Sequence, residues 1–199
     1  MVEPPRLSSP RAERCFGTGD PLYERYHDEE WGRPQLSERA LYEKICLEGF
    51  QAGLAWITVL RKREALRAAF AGFVPEVVAA YDDIEDLATD AQLIRSRPKL
   101  RACVRNAQAT IALRDHGGLE ALVRSHAQLP SPAYDAWAEV PAATPGSALL
   151  ARELRAAGFT FVGPTTAYSL LQACGLVNDH LRTCPARAAA ETARRTALC

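Results

Sequence analysis

Hydrophobic residues recur at helical spacing along most of this chain. Between positions 41 and 70 the sequence is rich in Leu, Ala, Ile, Glu, Lys and Arg, and the pattern is interrupted only around Gly49 and Gly53. Such a segment is typical of two helices that meet at the glycines. Apolar periodicity, with proline near a start and glycine past an end, predicts further helices over residues 75–81, 84–89, 98–116, 119–126, 148–157 and 164–174.

The segments between these helices define the fold class. Only residues 160–162 resemble a strand, so the sequence predicts an all-α protein. Ser147 occupies the position of an N-cap for the helix over 148–157. Residues 129–146 are rich in proline and lack periodicity, which predicts an exposed loop. We expect three regions along the chain: a disordered leader over 1–13, a domain of two closely packed helical lobes over 14–186, and a flexible tail over 187–199.

The composition is that of a protein with its own core. At 199 residues and 48% hydrophobic content, the chain is long enough to bury one. Lys and Arg total 24 and Asp and Glu total 24, so any polyanion must be attracted by a local patch rather than by net charge. No apolar stretch reaches the ~20 residues that span a membrane, and the start does not resemble a secretory signal. These features predict a cytoplasmic protein with reduced cysteines and no membrane partner.

Two pairs of metal-ligating residues lie near the ends of the predicted domain. Cys15 and His27 form an early Cys-x11-His pair, and His180 and Cys184 form a late His-x3-Cys pair that spans one helical turn. Two sulfurs and two imidazoles suit tetrahedral zinc, and four protein ligands would leave no open position, so the metal would be structural. The alternative is that His180 is a surface residue and Cys184 an ordinary thiol.

A carboxylate occupies a position where a hydrophobic residue is expected. Glu48 lies on the same helical stripe as Leu41 and Ile45, which predicts that its side chain faces inward. A buried carboxylate must be paired, neutral or at the wall of a cavity. A salt bridge to Lys44 or a contact with the N-terminus of a neighbouring helix are the structural alternatives to a functional site.

Aromatic side chains are concentrated in the same part of the sequence. Aromatic residues make up only 8% of the chain, yet a group of them lies within 41 positions, including Phe16, Tyr23, Tyr26, Trp31, Phe50 and Trp56. Such residues usually belong to a core. A pocket of electron-rich rings with one carboxylate, however, would suit a planar cation through cation–π attraction, ion pairing and hydrogen bonding.

A basic strip follows an acidic one. Residues 95–105 carry five basic side chains and no acidic one, and the strip begins with Arg95, Arg97 and Lys99. The turn over 90–96, between two predicted helices, could present backbone N–H groups and arginines to phosphates. The alternative is a solvated basic helix face.

Several long stretches of this sequence resemble one known family, the type I DNA-3-methyladenine glycosylases of bacteria. The resemblance covers residues 14 to 184 in the family's order. It rests on Arg14-Cys15, Asp20-Pro-Leu-Tyr-Glu-Arg-Tyr-His-Asp-Glu-Glu-Trp-Gly32, Leu47-Glu-Gly-Phe-Gln-Ala-Gly-Leu-Ala-Trp-Ile-Thr-Val-Leu-Arg-Lys-Arg-Glu64, Gly158-Phe-Thr-Phe-Val-Gly-Pro-Thr-Thr166 and Gly175-Leu-Val-Asn-Asp-His180.

The resemblance implies a helix-hairpin-helix DNA glycosylase fold with its hairpin near 91–97. It implies a structural zinc that joins the N- and C-terminal segments through four ligands: Cys15, His27, His180 and Cys184. It also implies that Glu48 is the essential carboxylate and that Tyr26 and Trp56 contact the base, with Tyr23 and Trp31 beside them. Phe16 stands where the family usually has a tryptophan.

The implied activity is removal of 3-methyladenine from alkylated double-stranded DNA by a monomeric enzyme. Methylation at N3 makes the base cationic, so little acid catalysis is needed, and we expect water rather than a lysine to complete the reaction. A zinc deaminase is hinted at by His27 and Glu29, but the chain lacks the Pro-Cys-x-x-Cys half of that signature. A noncatalytic binder of damaged DNA that uses the same pocket remains an alternative.

Overall fold

The computed structural model describes residues 14–199, and within this range it contains helices and no strand. The predicted all-α class is therefore confirmed, whereas the leader predicted over 1–13 lies outside the described residues. Ten α-helices follow one another: α1 (Pro21–Glu29), α2 (Glu38–Gln51), α3 (Trp56–Ala69), α4 (Pro75–Ala79), α5 (Glu85–Thr89), α6 (Arg97–Leu113), α7 (Gly118–Arg124), α8 (Pro145–Ala156), α9 (Pro164–Ala173) and α10 (Ala186–Leu198). None of these helices has the length and apolar character that a membrane-crossing segment requires.

Helix α2 is the central element, because it packs against α3, α6, α7 and α9. Its inward stripe is apolar, with Leu41 and Leu47 fully buried. The hydroxyl of Tyr42 donates a hydrogen bond of 2.9 Å to the carbonyl of Cys103 on α6, which satisfies the phenol in the core. Side chains on α2 are thus held rigidly against four neighbouring helices.

The break between α2 and α3 differs slightly from the prediction. Gly49 lies inside α2 rather than at its end, and a Cβ there would lie 3.4 Å from the Cβ of Phe161, so glycine allows the segment before α9 to approach closely. Gly53 lies in the turn itself with φ of +78°, a conformation that glycine adopts without strain. The turn after α2 is consequently short and tightly placed.

The start of α8 corrects one prediction. Its N-cap is Thr144, whose side chain accepts a hydrogen bond of 3.1 Å from the backbone N–H of Ser147, while the Ser147 hydroxyl accepts one of 2.9 Å from the N–H of Thr144. Ser147 is therefore the third helical residue of a capping box and not the N-cap. Pro145 explains the earlier start, because its fixed φ suits the first position of a helix.

The predicted flexible tail over 187–199 is wrong, because these residues belong to helix α10 and its C-cap. Arg194 is fully buried, and its guanidinium donates hydrogen bonds to the carbonyls of Gly175 at 2.7 Å and Gln128 at 2.6 Å. It also pairs with Glu191 at 2.6 Å. Helix α10 presents mainly alanine to the domain, and its deepest anchor is a cation, so apolar periodicity did not reveal it.

Gly175 ends helix α9 at a very close contact between segments. Its φ is +70°, and a Cβ there would lie 2.6 Å from the carbonyl carbon of Arg33 and 2.8 Å from the carbonyl oxygen of Gly32. Real Cβ atoms do not approach backbone this closely, so only glycine fits. This contact brings the segment after α1 against the residues that precede His180.

Candidate base pocket and metal cluster

Glu48 lies one turn before the end of α2 and lines a cavity of about 220 Å³. The cavity is lined by all the pocket residues predicted from the sequence: Phe16, Tyr23, Tyr26, Trp31, Glu48 and Trp56. Four further residues that the sequence did not indicate also line it: Gln51, Trp137, Ser169 and Gln172. Phe50, the remaining member of the aromatic group, is 1% exposed and belongs to the core. The arrangement is a small slot with aromatic walls and few polar groups.

The aromatic walls of the cavity form two connected groups. On one side, the rings of Tyr26 and Trp56 lie 5.3 Å apart at 44°. On the other, Phe16 meets Trp31 edge to face, with ring centroids 5.0 Å apart at 80°. The rings of Phe16 and Tyr26 lie 6.5 Å apart and connect the two groups, and Tyr23 lies 5.1 Å from Phe16. Rings held at such distances stabilise each other and present fixed faces to a flat ligand.

Trp137 adds an outer wall from an unexpected place. It lies in the irregular segment before α8, in a short 3-10 turn, and its side chain is 44% exposed. Its ring centroid lies 5.7 Å from that of Phe16 and 6.0 Å from that of Trp31. The loop is held to the domain by Arg182, whose guanidinium donates 2.8 Å to Asp135. Trp137 therefore covers the space beside Phe16.

Burial controls the charge of Glu48. The carboxyl is 5% exposed, and burial raises its pKa to about 7, an effect that the nearby ammonium of Lys44 partly opposes. The structural alternatives predicted for Glu48 are absent within residues 14–199, where it forms no ion pair with Lys44 and accepts no hydrogen bond from a helix N-terminus. Its oxygens therefore remain available to a ligand in the cavity.

Three neutral polar side chains complete the lining. Gln51 lies one turn after Glu48 on α2, a spacing from which it could have been inferred. Ser169 and Gln172 come from α9, and no local pattern marks them because only tertiary packing brings α9 to α2. The amide of Gln172 donates 2.9 Å to the buried carboxylate of Asp179, which fixes its orientation.

A second cavity of about 220 Å³ continues from the first towards the turn after α2. It shares Glu48, Gln51 and Ser169 with the pocket, and it adds residues 52–54 and the two threonines at the start of α9. Leu54 in this turn is 40% exposed. The pocket thus opens beside the α2–α3 turn rather than into the interior.

The four predicted metal ligands come together in space. Their ligand atoms all lie within 4.8 Å of one another, and three of the four residues are buried. Cys184 Sγ lies 3.5 Å from His180 Nδ1 and 3.6 Å from His27 Nε2, and Cys15 Sγ lies 3.7 Å from His180 Nδ1. Bond lengths of 2.3 Å to sulfur and about 2.05 Å to nitrogen give a tetrahedral edge of about 3.6 Å, so the cluster has the dimensions to hold a metal ion.

The surroundings of the two histidines suit the same role. His27 Nδ1 is 2.8 Å from a carboxylate oxygen of Asp28, and His180 Nε2 is 3.1 Å from the carbonyl of Trp31. Each contact fixes the ring and leaves the other nitrogen facing the cluster, as is usual around protein-bound metals. The guanidinium of Arg14 donates a hydrogen bond of 2.8 Å to the same carboxylate of Asp28. Hydrogen bonds that the Cys184 thiolate accepts, first from Cys15 and then from His180 and His27, hold the pKa of Cys184 well below its usual range.

The predicted basic strip lies on a turn and a helix beside the pocket. Helix α5, the turn over 90–96 and α6 follow one another, and Arg95 is exposed in the turn without an ion pair or hydrogen bond to another residue of 14–199. Arg97 pairs with Glu85 at 2.8 Å. Lys99 donates 2.9 Å to the carbonyl of Phe50 and also contacts that of Ala52, so its ammonium caps the end of α2.

Comparisons with known proteins show the family to which this chain belongs. The profile of the family described as methyladenine glycosylase matches residues 16–188. DNA-3-methyladenine glycosylase 1 of Escherichia coli (strain K12) is 45% identical over 86% of this chain and 95% of its own length, and a DNA-3-methyladenine glycosylase of Haemophilus influenzae is 42% identical over 87% and 97%.

Solved structures agree as well. A crystal structure of a 3-methyladenine DNA glycosylase I has a TM-score of 0.84 at 45% identity, covering 87% of this chain and 98% of that one. The Staphylococcus aureus 3-methyladenine DNA glycosylase I has a TM-score of 0.83 at 35% identity, covering 87% and 95%. The profile match over most of the chain and these full-length relatives establish that the chain belongs to the methyladenine glycosylase family.

Proposed function

We propose that this chain is a monomeric DNA repair glycosylase that hydrolyses the N-glycosidic bond of 3-methyladenine in alkylated double-stranded DNA. The observation that carries the proposal is the buried carboxyl of Glu48 inside a slot of aromatic rings. The relatives are named for the same activity. A base within a duplex cannot reach such a slot, so the enzyme must rotate the nucleotide out of the stack.

The slot recognises the charge of the methylated base. The rings of Tyr26 and Trp56 offer their faces to a flat cation, and Glu48 accepts hydrogen bonds from the edge of the base. Burial raises the pKa of Glu48 to about 7, so a cation in the slot favours the carboxylate form at neutral pH. Normal adenine is neutral and gains neither attraction, which gives selectivity.

The departing base needs no protonation because it leaves the sugar as a neutral molecule. Water attacks the sugar carbon, the glycosidic bond breaks, its electron pair neutralises the positive ring, and the proton that the water loses passes to solvent. No lysine is among the described residues that line the cavity, so an amine is not placed to attack in place of water. We therefore propose a monofunctional enzyme that leaves the DNA strand intact.

We propose that the cluster of Cys15, His27, His180 and Cys184 binds a structural Zn²⁺. The tetrahedral spacing of its sulfur and nitrogen atoms and the fixed outer nitrogens of both histidines support this. With four protein ligands the ion would have no site for substrate, so its contribution is to tie the segment around α1 to the segment after α9.

We propose that the α5–α6 unit is the helix-hairpin-helix element and binds the phosphate backbone. The side chain of Arg95 is exposed, the first N–H groups of α6 have no partner within the helix, and Arg97 can exchange Glu85 for a phosphate. Lys99 has a different role from the one predicted, because it fastens α6 to the end of α2. That fastening keeps the hairpin next to the mouth of the pocket.

The function is tested by chromatography of the bases released from methylated duplex DNA. We expect wild-type protein to release 3-methyladenine and Glu48→Gln to release it at least about 100-fold more slowly, because the amide lacks the charge that holds the cation. Glu120→Gln, an exposed residue of α7, is the matched control and should be unchanged. Binding of methylated DNA without any free base would identify a noncatalytic binder, and equal rates for Glu48→Gln would reject the role of the carboxylate.

A further inference from the structure

A buried ammonium lies directly behind the base pocket. Lys44 is 4% exposed, and its Nζ lies 5.2 Å from the ring centroid of Tyr26 and 5.4 Å from that of Trp56. It forms no hydrogen bond or ion pair with another residue of 14–199, so its closest partners are the two rings. Lys44 is not among the residues that line the cavity, whereas Tyr26 and Trp56 both are.

Of the three carboxylates near Lys44, two are already paired with arginines. Glu30 is held by Arg63 with one contact at 2.9 Å and another at 2.5 Å, and Glu43 is held by Arg67 at 2.7 Å. Glu48 lies one helical turn after Lys44 on the same face of α2 and has no guanidinium partner. Glu48 is therefore the carboxylate near Lys44 that no guanidinium already holds in the charged form.

We propose that Lys44 is a positioning residue for the glycosylase reaction: its ammonium, lodged behind Tyr26 and Trp56, keeps Glu48 in the carboxylate form that receives the cationic base. The inference rests on the proposed function, because Lys44 does not line the slot and its charge would affect the reaction through Glu48. A cation behind the rings weakens their own attraction for a second cation. Lys44 therefore favours binding of the cationic base only if it strengthens the attraction of the Glu48 carboxylate by more than it weakens that of the rings.

Among Glu48 and the groups that face it from other helices, the carboxyl of Glu48 is the one whose charge changes near neutral pH. Lys44 opposes the rise that burial causes in the pKa of Glu48. The groups that face Glu48 from other helices are two tyrosines of α1 and the thiol of Cys174 after α9. Burial raises the pKa of Tyr23 and Tyr26 above the usual value and that of Cys174 to about 12, so these groups stay neutral between pH 6 and about 9. The low-pH limb of kcat/KM, which reports the free enzyme, should follow Glu48.

The test replaces Lys44 by the neutral side chains of Met and Gln in the full-length protein. We expect Lys44→Met and Lys44→Gln to move the low-pH limb of kcat/KM for release of 3-methyladenine upward by about one pH unit, because an opposite charge within several ångströms lowers a carboxyl pKa by about that much. At pH 7 this would reduce excision about fivefold, with recovery above pH 9. Arg152→Met removes an exposed charge on α8 and should leave the limb in place.

A second measurement separates this inference from the proposed function. The pKa of Glu48 can be followed by the NMR shift of its carboxyl carbon in protein labelled with ¹³C-glutamate, with Glu48→Gln identifying the signal. A higher value in Lys44→Met than in wild type supports the inference even if the wild type releases no base, which would reject only the proposed activity. The inference would be overturned if Lys44→Met and wild type gave the same titration curve for Glu48 and the same pH profile of kcat/KM.

Discussion

At the scale of single residues, the buried carboxylate of Glu48 serves the proposed reaction but destabilises the fold. Burial raises its pKa from 4.5 to about 7, so the folded protein binds the proton more tightly than the unfolded chain does. The free energy of unfolding must then fall as pH rises from about 4.5 to about 7 and remain low above that range. The carboxylate that receives the base is thus maintained at a cost to the fold.

Glu48→Gln should therefore stabilise the protein while it removes activity. We expect the free energy of unfolding at pH 8 to rise by on the order of 2 kcal/mol, and to change little at pH 5, because the amide is neutral at both. Urea denaturation at the two pH values measures this, with Glu120→Gln as the exposed control. A Glu48→Gln protein that is less stable than wild type at pH 8 would contradict this account of the pocket.

The sequence predicted the residues of the pocket that local spacing can reveal. Glu48 was expected to face inward because helical periodicity alone sets its direction, and the nearby aromatic cluster was visible as a local excess. Ser169 and Gln172 could not be found in this way, because they reach the pocket only when α9 packs on α2. A salt bridge between Lys44 and Glu48 was one of the alternatives to a functional site, but the ammonium of Lys44 lies over the rings of Tyr26 and Trp56 instead.

At the scale of helices, α10 shows why an element can escape sequence patterns. The apolar stripe of this helix consists of alanine with one arginine buried beside it, so it lacks the large side chains that mark a core, although alanine is the best helix former. The stabilising contacts are hydrogen bonds from Arg194 to backbone carbonyls, which no periodicity predicts. By contrast, α2, α3 and α9 were predicted because each buries large apolar residues at regular intervals.

Arg194→Met should destabilise the protein although it lies near the C-terminus. The change leaves the buried carbonyls of Gly175 and Gln128 without donors, and we expect a loss of about 2 to 4 kcal/mol in the free energy of unfolding. Arg195→Met is the matched control, since its side chain is 72% exposed, and it should change stability by less than about 0.5 kcal/mol. Equal effects of the two variants would mean that residues 187–199 behave as a loose tail.

At the scale of the whole molecule, the metal cluster joins parts of the chain that are far apart in sequence. Cys15 and His27 lie before α2, and His180 and Cys184 lie after α9. A cross-link between these segments closes a loop of about 150 residues, for which the lost chain entropy corresponds to about 3 to 5 kcal/mol. The ion would stabilise the entire domain rather than the pocket alone.

Removal of the metal should therefore lower global stability. We expect purified protein to contain about one zinc per chain, and a strong chelator or Cys184→Ser to reduce the free energy of unfolding by about 3 to 5 kcal/mol. Cys199→Ser removes an exposed thiol outside the cluster and should retain both the zinc and the stability. Metal analysis that finds no zinc, together with unfolding that a chelator does not affect, would refute the structural ion.

The outer wall formed by Trp137 has a consequence for how this enzyme can diverge. The other aromatic side chains of the pocket lie on helices or next to the Cys/His cluster, whereas Trp137 lies in an irregular segment. Such segments tolerate substitution better than helices do. Mutations there can enlarge or narrow the slot without repacking the core. Relatives that keep the same carboxylate could in this way come to accept different damaged purines.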